Sequence, residues 1–322
     1  MLVGFFEAVC WALVVVANKR ILAYVNPLPL NFLVRLVSIA GQLLLTVPLT
    51  VFGWWSLGFG LTPLAAGYIA VSAVITWLVA FNTYYYALRA GRASVVAPIT
   101  STDPIWTAVF APLVLATTLE PMTVAGLLVA TTGVVLIARW MGDEPGELLE
   151  AGTMPVSAAP ATARRGSGDG RARALQVVLL SVTTAAGWGL APVVIELAEN
   201  TNGGASAGMM VGSQALGALM LGAIMRVRHS PILVRPLLPD ERRRMILLLL
   251  AAGALEAVFS VLFYLIIDAI GSVLTVLIIS TSPVFSIIGG VVLLKERFGK
   301  RLAFAAAVTI GGVVIATVAR MS

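Results

Sequence analysis

The stretch Thr100-Ser101-Thr102-Asp103-Pro104 decides how this chain is read, because it returns as Ile279-Ser280-Thr281-Ser282-Pro283. Each copy follows an apolar run, and Tyr85 precedes Pro104 by the same 19 residues that separate Tyr264 from Pro283. Upstream, Cys10-Trp11-Ala12-Leu13 matches Gly187-Trp188-Gly189-Leu190, each about ten residues into a hydrophobic run. Downstream, Glu120 and Glu296 each open a Gly-rich apolar stretch. The second half of the chain therefore repeats the first.

The repeat is written in apolar residues. Of 322 residues, 59% are hydrophobic and 11% charged, with mean hydropathy +0.99. A soluble domain carries about 25% charged residues, so too few are present to cover a water-facing surface. The composition specifies an all-α integral membrane protein embedded in the lipid bilayer; a small-molecule substrate is an expected partner only because the repeat points to a transporter. The net charge of +6 would suggest nucleic acid in a soluble chain. Here the basic residues lie in loops between apolar runs, where they set orientation instead, and nucleic acid is excluded as a partner. The lone cysteine, Cys10, and the lone histidine, His229, offer no disulfide and no metal-ligand spacing, so no metal and no cofactor is expected.

A helix crosses the hydrocarbon core with roughly 20 apolar residues. Runs of that order fit near 3–24, 29–52, 64–88, 93–116 and 121–140, then 174–197, 205–226, 245–269, 272–293 and 300–320. The expectation is ten transmembrane helices in two five-helix repeats, residues 1–140 and 174–322. An odd number of spans per repeat inverts the second relative to the first, and inverted repeats with interrupted helices point to a transporter with a central site. Residues 141–173, rich in Gly, Pro, Ala, Ser and charge, read as a flexible linker. The polar insertion Arg226–Arg244 reads as a solvated loop.

Several residues are candidates for a substrate or coupling cavity. Asp103 and Glu256 fall near the middle of their spans, where a charge costs about 2.5–3.5 kcal/mol on insertion scales and so demands a partner, a proton or a wet cavity. Arg35 lies five or six residues inside the second span; it either snorkels to the interface or supplies a fixed positive charge to an intramembrane acid or a substrate carboxylate. Ser101, Thr102, Ser280, Thr281 and Ser282 cluster beside the prolines at repeat-equivalent positions, with Asn82 and Tyr85 as deeper polar groups. Pro104 and Pro283 are expected to bend their helices. Trp11 and Trp188, flanked by small residues, read as a packing pair or a gate. Lys19 is expected to snorkel, and Tyr84 and Tyr86 to join an interfacial belt.

Trp11 with Lys19, then Arg35, Tyr86-Ala87-Leu88 leading to Ala93-Ser94, Pro104 and Glu120 form an ordered set. Pro283-Val284-Phe285 and Leu293-Leu294-Lys295-Glu296-Arg297 continue it in the second half. Over essentially the whole chain this resembles the EamA-type transporters of the drug/metabolite transporter superfamily. The resemblance implies ten membrane helices, a central cavity between the halves, and export of amino acids or other small metabolites, in some relatives coupled to protons. Two features depart from the family pattern. The chain begins Met1-Leu2-Val3-Gly4 without basic residues, and the interval from Pro104 to Glu120 exceeds that from Pro283 to Glu296 by three residues. Two other classes remain on sequence grounds: an intramembrane enzyme pairing Asp103 with Glu256, and a lipid-binding scaffold meeting anionic headgroups. Neither accounts for the inverted repeat, and no His, Cys or metal site accompanies the two acids, so no enzyme activity is expected.

The charge bias generates a topology. Lys19, Arg20, Arg89, Arg92, Lys295, Arg297, Lys300 and Arg301 fall on one side of the ten-span arrangement, which places that side in the cytoplasm of a plasma-membrane protein and both termini outside. A fluorescent protein fused after Ser322 should stay dark while a cysteine placed at Arg243 stays shielded from an external thiol reagent; a bright fusion with an externally labelled loop would reverse the orientation.

Overall fold

The computed structural model describes residues 2–52, 61–115, 121–143, 167–202, 207–270, 285, 291–293 and 299–319. In lipid every backbone polar group must be satisfied within the chain, and apolar runs of this length satisfy them as helices. The helices are α1 (Leu2–Ile21), α2 (Pro27–Val51), α3 (Pro63–Ala73), α4 (Phe81–Ala90), α5 (Ala93–Thr100), α6 (Asp103–Leu115), α7 (Pro121–Asp143), α8 (Ser167–Asn202), α9 (Ala207–Val227), α10 (Pro239–Ile270) and α11 (Lys300–Ala319). A π-helical turn, Val74–Ala80, joins α3 to α4 without interruption. Among the described residues, five segments are long and apolar enough to cross a membrane: Pro27–Pro48, Pro63–Ala90, Ala172–Asn202, Ala207–Val227 and Pro239–Phe263. Leu44, Leu113, Leu128 and Leu219 point outward along the bundle, as a lipid-facing surface requires.

Local chemistry sets the helix starts. Pro27 and Pro63 occupy first-turn positions, where a missing N–H costs nothing. Thr62 caps α3 by accepting from the Ala65 N–H at 3.2 Å. Ahead of α10, Glu241 accepts from the Leu238 N–H at 3.1 Å and from Arg235 at 2.6 and 3.0 Å. The insertion between α9 and α10 is more than a solvated loop. Asn26 and Tyr24, in the α1–α2 turn, exchange backbone hydrogen bonds with Ile232 and Val234 at 3.0 and 2.9 Å, and Arg89 donates to Asn26 at 2.6 Å. The insertion is thereby fastened to the ends of α1, α2 and α4.

The helices cross in reciprocal pairs. α1 packs against α10, while α8 packs against the continuous helix α3–α4; α2 packs against α9, and α7 against α11. The tightest crossing is α7 with α11. A side chain at Gly133 would meet the Thr309 backbone at 2.5 Å, and one at Gly312 the Ala130 backbone at 2.3 Å. Glycine is needed at both because the backbones themselves are in contact. Across the bundle Gly189 does the same for α8 on α6, against the Asp103 carbonyl at 2.6 Å.

Residues 141–143 belong to α7 and 167–173 to α8, so helix reaches into both ends of the expected linker, and 144–166 lie outside the described residues. Of the expected ninth span, 272–293, only 285 and 291–293 are described; Ser280, Thr281, Ser282, Pro283 and Glu296 lie outside the described residues, as does Glu120.

The glycine crossing yields a stability test. Gly133→Val forces the α7 and α11 backbones apart and should cost about 1–3 kcal/mol, as overpacking does, seen as a lowered thermal midpoint in detergent. Gly67→Ala, where added atoms meet nothing within 4 Å, should leave that midpoint unchanged or slightly raised.

Candidate functional site

The first copy of the Ser/Thr-Pro stretch, Thr100–Pro104, builds part of the candidate site. Pro104 has no N–H for the Thr100 carbonyl, and the span does not bend there but breaks. α5 ends at Thr100, Ser101 and Thr102 form a turn, and α6 restarts at Asp103 with Pro104 in its first turn. The hydroxyls of Thr100 and Thr102 donate to the Ala97 and Ile99 carbonyls at 3.1 and 2.8 Å, which also accept from the Ser101 and Thr102 N–H groups. The expected helix bend is therefore a discontinuity, and it turns the Asp103 carboxylate toward a cavity.

That cavity has a volume of about 150 Å³. Its wall is drawn from α1 (Trp11), α3 with the π turn (Ser72, Thr76, Trp77), the break (Thr100, Ser101, Asp103), α8 (Trp188, Pro192), α9 (Ser213, Gln214) and α10 (Glu256, Phe259, Ser260). Both halves of the chain contribute. Trp11 and Trp188 meet edge to face at 5.3 Å between centroids, and Phe259 lies 5.1 Å from Trp11. The tryptophan pair is a packing contact that also forms the aromatic wall.

Behind Glu256 lies the strongest electrostatic feature. Arg35, fully buried on α2, forms an ion pair with the equally buried Glu256 of α10. The guanidinium sits over the Trp77 ring at 4.3 Å and the Phe81 ring at 4.6 Å. A desolvated cation over an aromatic face gains about 2 kcal/mol or more, so the two rings replace part of the lost hydration. Arg35 thus does not snorkel. Of the two expectations for it, pairing with an intramembrane acid is the one the structure contains. Trp77, the residue at Glu256's repeat position, is held by its Nε1 donating to Ser213 at 3.0 Å and by its carbonyl accepting from Asn31 at 2.7 Å. The π turn presents that carbonyl sideways, a widening of the helix that recurs at functional sites.

Other expected residues sit elsewhere. Tyr85 is buried beside Arg35 and accepts from Asn18 at 3.4 Å, one layer behind the cavity wall. Asn82 faces Asn31 at 3.3 Å and not the cavity, and Thr102 is buried against its own helix end. Lys19 does not snorkel; it donates to the Leu88 and Gly91 carbonyls at 2.5 and 2.6 Å and closes the C-terminus of α4. Tyr84 is buried and only Tyr86 lies exposed, so no tyrosine belt forms there. Sequence reasoning passed over Gln214, Trp77 and Ser213. The first could have been found as a lone amide in an otherwise apolar run.

A family model described as the EamA-like transporter family matches residues 1–139 and 175–318. The chain belongs to that family. A solved crystal structure shares its fold at TM-score 0.60 and 19% identity, covering 99% of this chain and 97% of its own. No curated protein matches. As a member of the EamA-like transporters, the chain is an integral membrane protein of the transporter type, and the cavity between its halves is the candidate site.

The ion pair makes a specific prediction. Arg35→Met strands a buried carboxylate and should destabilise the protein by about 3–5 kcal/mol. Adding Glu256→Met should restore most of that, because apolar replacement of a whole buried pair is close to neutral. Thermal unfolding in detergent reads both; an Arg35→Met protein as stable as the parent would mean the pair carries no structural weight.

Proposed function

We propose that this EamA-family transporter exports a small polar metabolite by alternating access, with the aromatic-walled cavity as its substrate site. The observation that carries the reading is the cavity's wall, which is assembled from helices of both halves and holds Asp103, paired with no cation among the described residues, at a helix break. The reciprocal crossings α1 with α10 and α8 with α3–α4 support two inverted repeats, 1–140 and 174–322, joined by 141–173 in a ten-helix arrangement. In such repeats substrates bind at the midplane where helices are interrupted. Both termini face outward in this reading, on the charge bias of the loops. In sequence, Ser280, Thr281 and Ser282 are the repeat counterparts of Ser101, Thr102 and Asp103.

Asp103 is the coupling group in this scheme. Among the described residues no cation pairs with it, whereas Glu256 is committed to Arg35. A carboxylate whose exposure differs between inward-open and outward-open states holds its proton with different affinity in each, and only such a difference shifts a conformational equilibrium.

Counterflow of labelled metabolites in proteoliposomes, identified first by comparing spent medium of overexpressing and deletion strains, tests the transport reading. With a substrate in hand, Asp103→Asn should abolish accumulation driven by a pH gradient while exchange persists. Accumulation that still follows the gradient in Asp103→Asn would remove Asp103 from coupling.

A further inference from the structure

The chemistry of the wall restricts what can occupy it. Its charged members among the described residues are Asp103 and Glu256, both acidic. The expected ninth span adds none, since 271–294 contain no Asp, Glu, Lys, Arg or His. Arg35 consumes one of those negative charges from behind the wall, leaving one unmatched. The hydrogen-bond inventory leans the same way. Trp77 Nε1 is spent on Ser213 at 3.0 Å, and Gln214 Nε2 is directed at Ser260 at 3.4 Å. The buried wall atoms left unanswered are Glu256 Oε2, Gln214 Oε1 and the Ser72 hydroxyl. The first two only accept, the hydroxyl can do either, and the Asp103 carboxylate adds further acceptors. Beside aliphatic Ile195 and Met210 and several hydroxyl residues, the wall carries Trp11, Trp188, Phe259 and Phe263, whose ring faces attract cations.

We propose that the cavity binds a primary ammonium ion borne on a small aromatic body. The ammonium's N–H donors meet Asp103, Glu256 Oε2 and Gln214 Oε1, and its ring packs among Trp11, Trp188 and Phe259. A volume of about 150 Å³ suits one ring with a short substituent, since a cavity of that size holds benzene. A free carboxylate on the ligand finds no cation on the wall, because Arg35 is held by Glu256. Anions and zwitterionic amino acids are therefore poor occupants. This inference names the substrate class for the transport reading and rests on it for function, although the binding itself can be measured separately.

Calorimetric titration of the full-length protein in detergent, against protein-free micelle blanks, tests it with five probes of one size class. These are benzylammonium, benzyltrimethylammonium, benzyl alcohol, benzoate and phenylglycine. Benzylammonium should bind at least about tenfold tighter than benzyl alcohol. It should also bind tighter than benzyltrimethylammonium, which keeps the charge but has no N–H to donate. Benzoate and phenylglycine should give no measurable heat. Asp103→Asn should erase the preference for the cation over the alcohol, and Asp103→Glu should restore it, separating lost charge from lost fold. Equal binding of benzoate or phenylglycine, an unchanged preference in Asp103→Asn, or no binding by any probe would overturn the proposal. Proteoliposome uptake of benzylammonium keeps the two readings apart. Cation-selective binding without uptake refutes transport through this cavity, while uptake of anions or zwitterions without cation preference refutes the ammonium site alone.

Discussion

A guanidinium buried in a membrane protein must find its solvation in the fold, and Arg35 finds it in three places. Glu256 supplies charge, and the mutually stacked Trp77 and Phe81 rings supply polarisable faces. Each partner then requires its own support. Trp77 is fixed by Ser213 and Asn31, and Gly217 lets α9 approach it, because any side chain there would strike the indole at 2.5 Å. One cation thus specifies contacts among α2, the π turn, α9 and α10. Breaking a buried pair costs more than forming it gains, so its value lies in fixing which helices meet.

The same pair shapes the cavity's electrostatics. With Arg35 facing Glu256 and not the opening, the fixed positive charge is hidden and the wall is left with Asp103 and a half-used carboxylate. Asp103 owes its position to the helix break. A continuous helix through 93–115 would have satisfied the carbonyls near Ser101 internally and left no polar turn at that depth. Pro104 prevents it, and Gly189 lets α8 close over the restart of α6.

Much of this is legible in the chain. Apolar length and the repeated Ser/Thr-Pro stretch point to membrane helices and to the neighbourhood of Asp103, because those signals are local. Intramembrane charge picks out Arg35 and Glu256 as residues in need of partners, but not as each other's partner. They are 221 residues apart in sequence, and their meeting depends on α2 crossing α10. Asn82 and Tyr85 illustrate the opposite limit. Their polarity and depth suit a cavity, yet helix rotation turns one toward Asn31 and the other behind Arg35. Lys19 has the flexible stem of a snorkelling residue; the bare carbonyls at the end of α4 capture it first. The π turn left no compositional trace, since Val74–Ala80 reads as ordinary apolar helix.

Alternating access needs some contacts to change while others hold, and the physical character of each contact sorts them. The α7–α11 crossing is backbone against backbone at Gly133 and Gly312, a geometry that cannot slide without steric collision. The contacts around the cavity are edge-to-face rings and single hydroxyl bonds, such as Trp11 on Trp188 and Thr107 donating to the Gly189 carbonyl at 3.0 Å. These exchange partners at small cost. Arg35 stands between the two kinds. Its pair joins helices from both halves, so any rocking of one half against the other either carries the pair intact or strips the guanidinium of its counter-charge. Stripping it costs several kcal/mol, and Tyr85, already beside the guanidinium, offers a hydroxyl and no counter-charge. A cycle that preserves the Arg35–Glu256 pair therefore confines the movement to the part of the wall where Asp103 sits at the helix break and α6 meets α8 through Gly189.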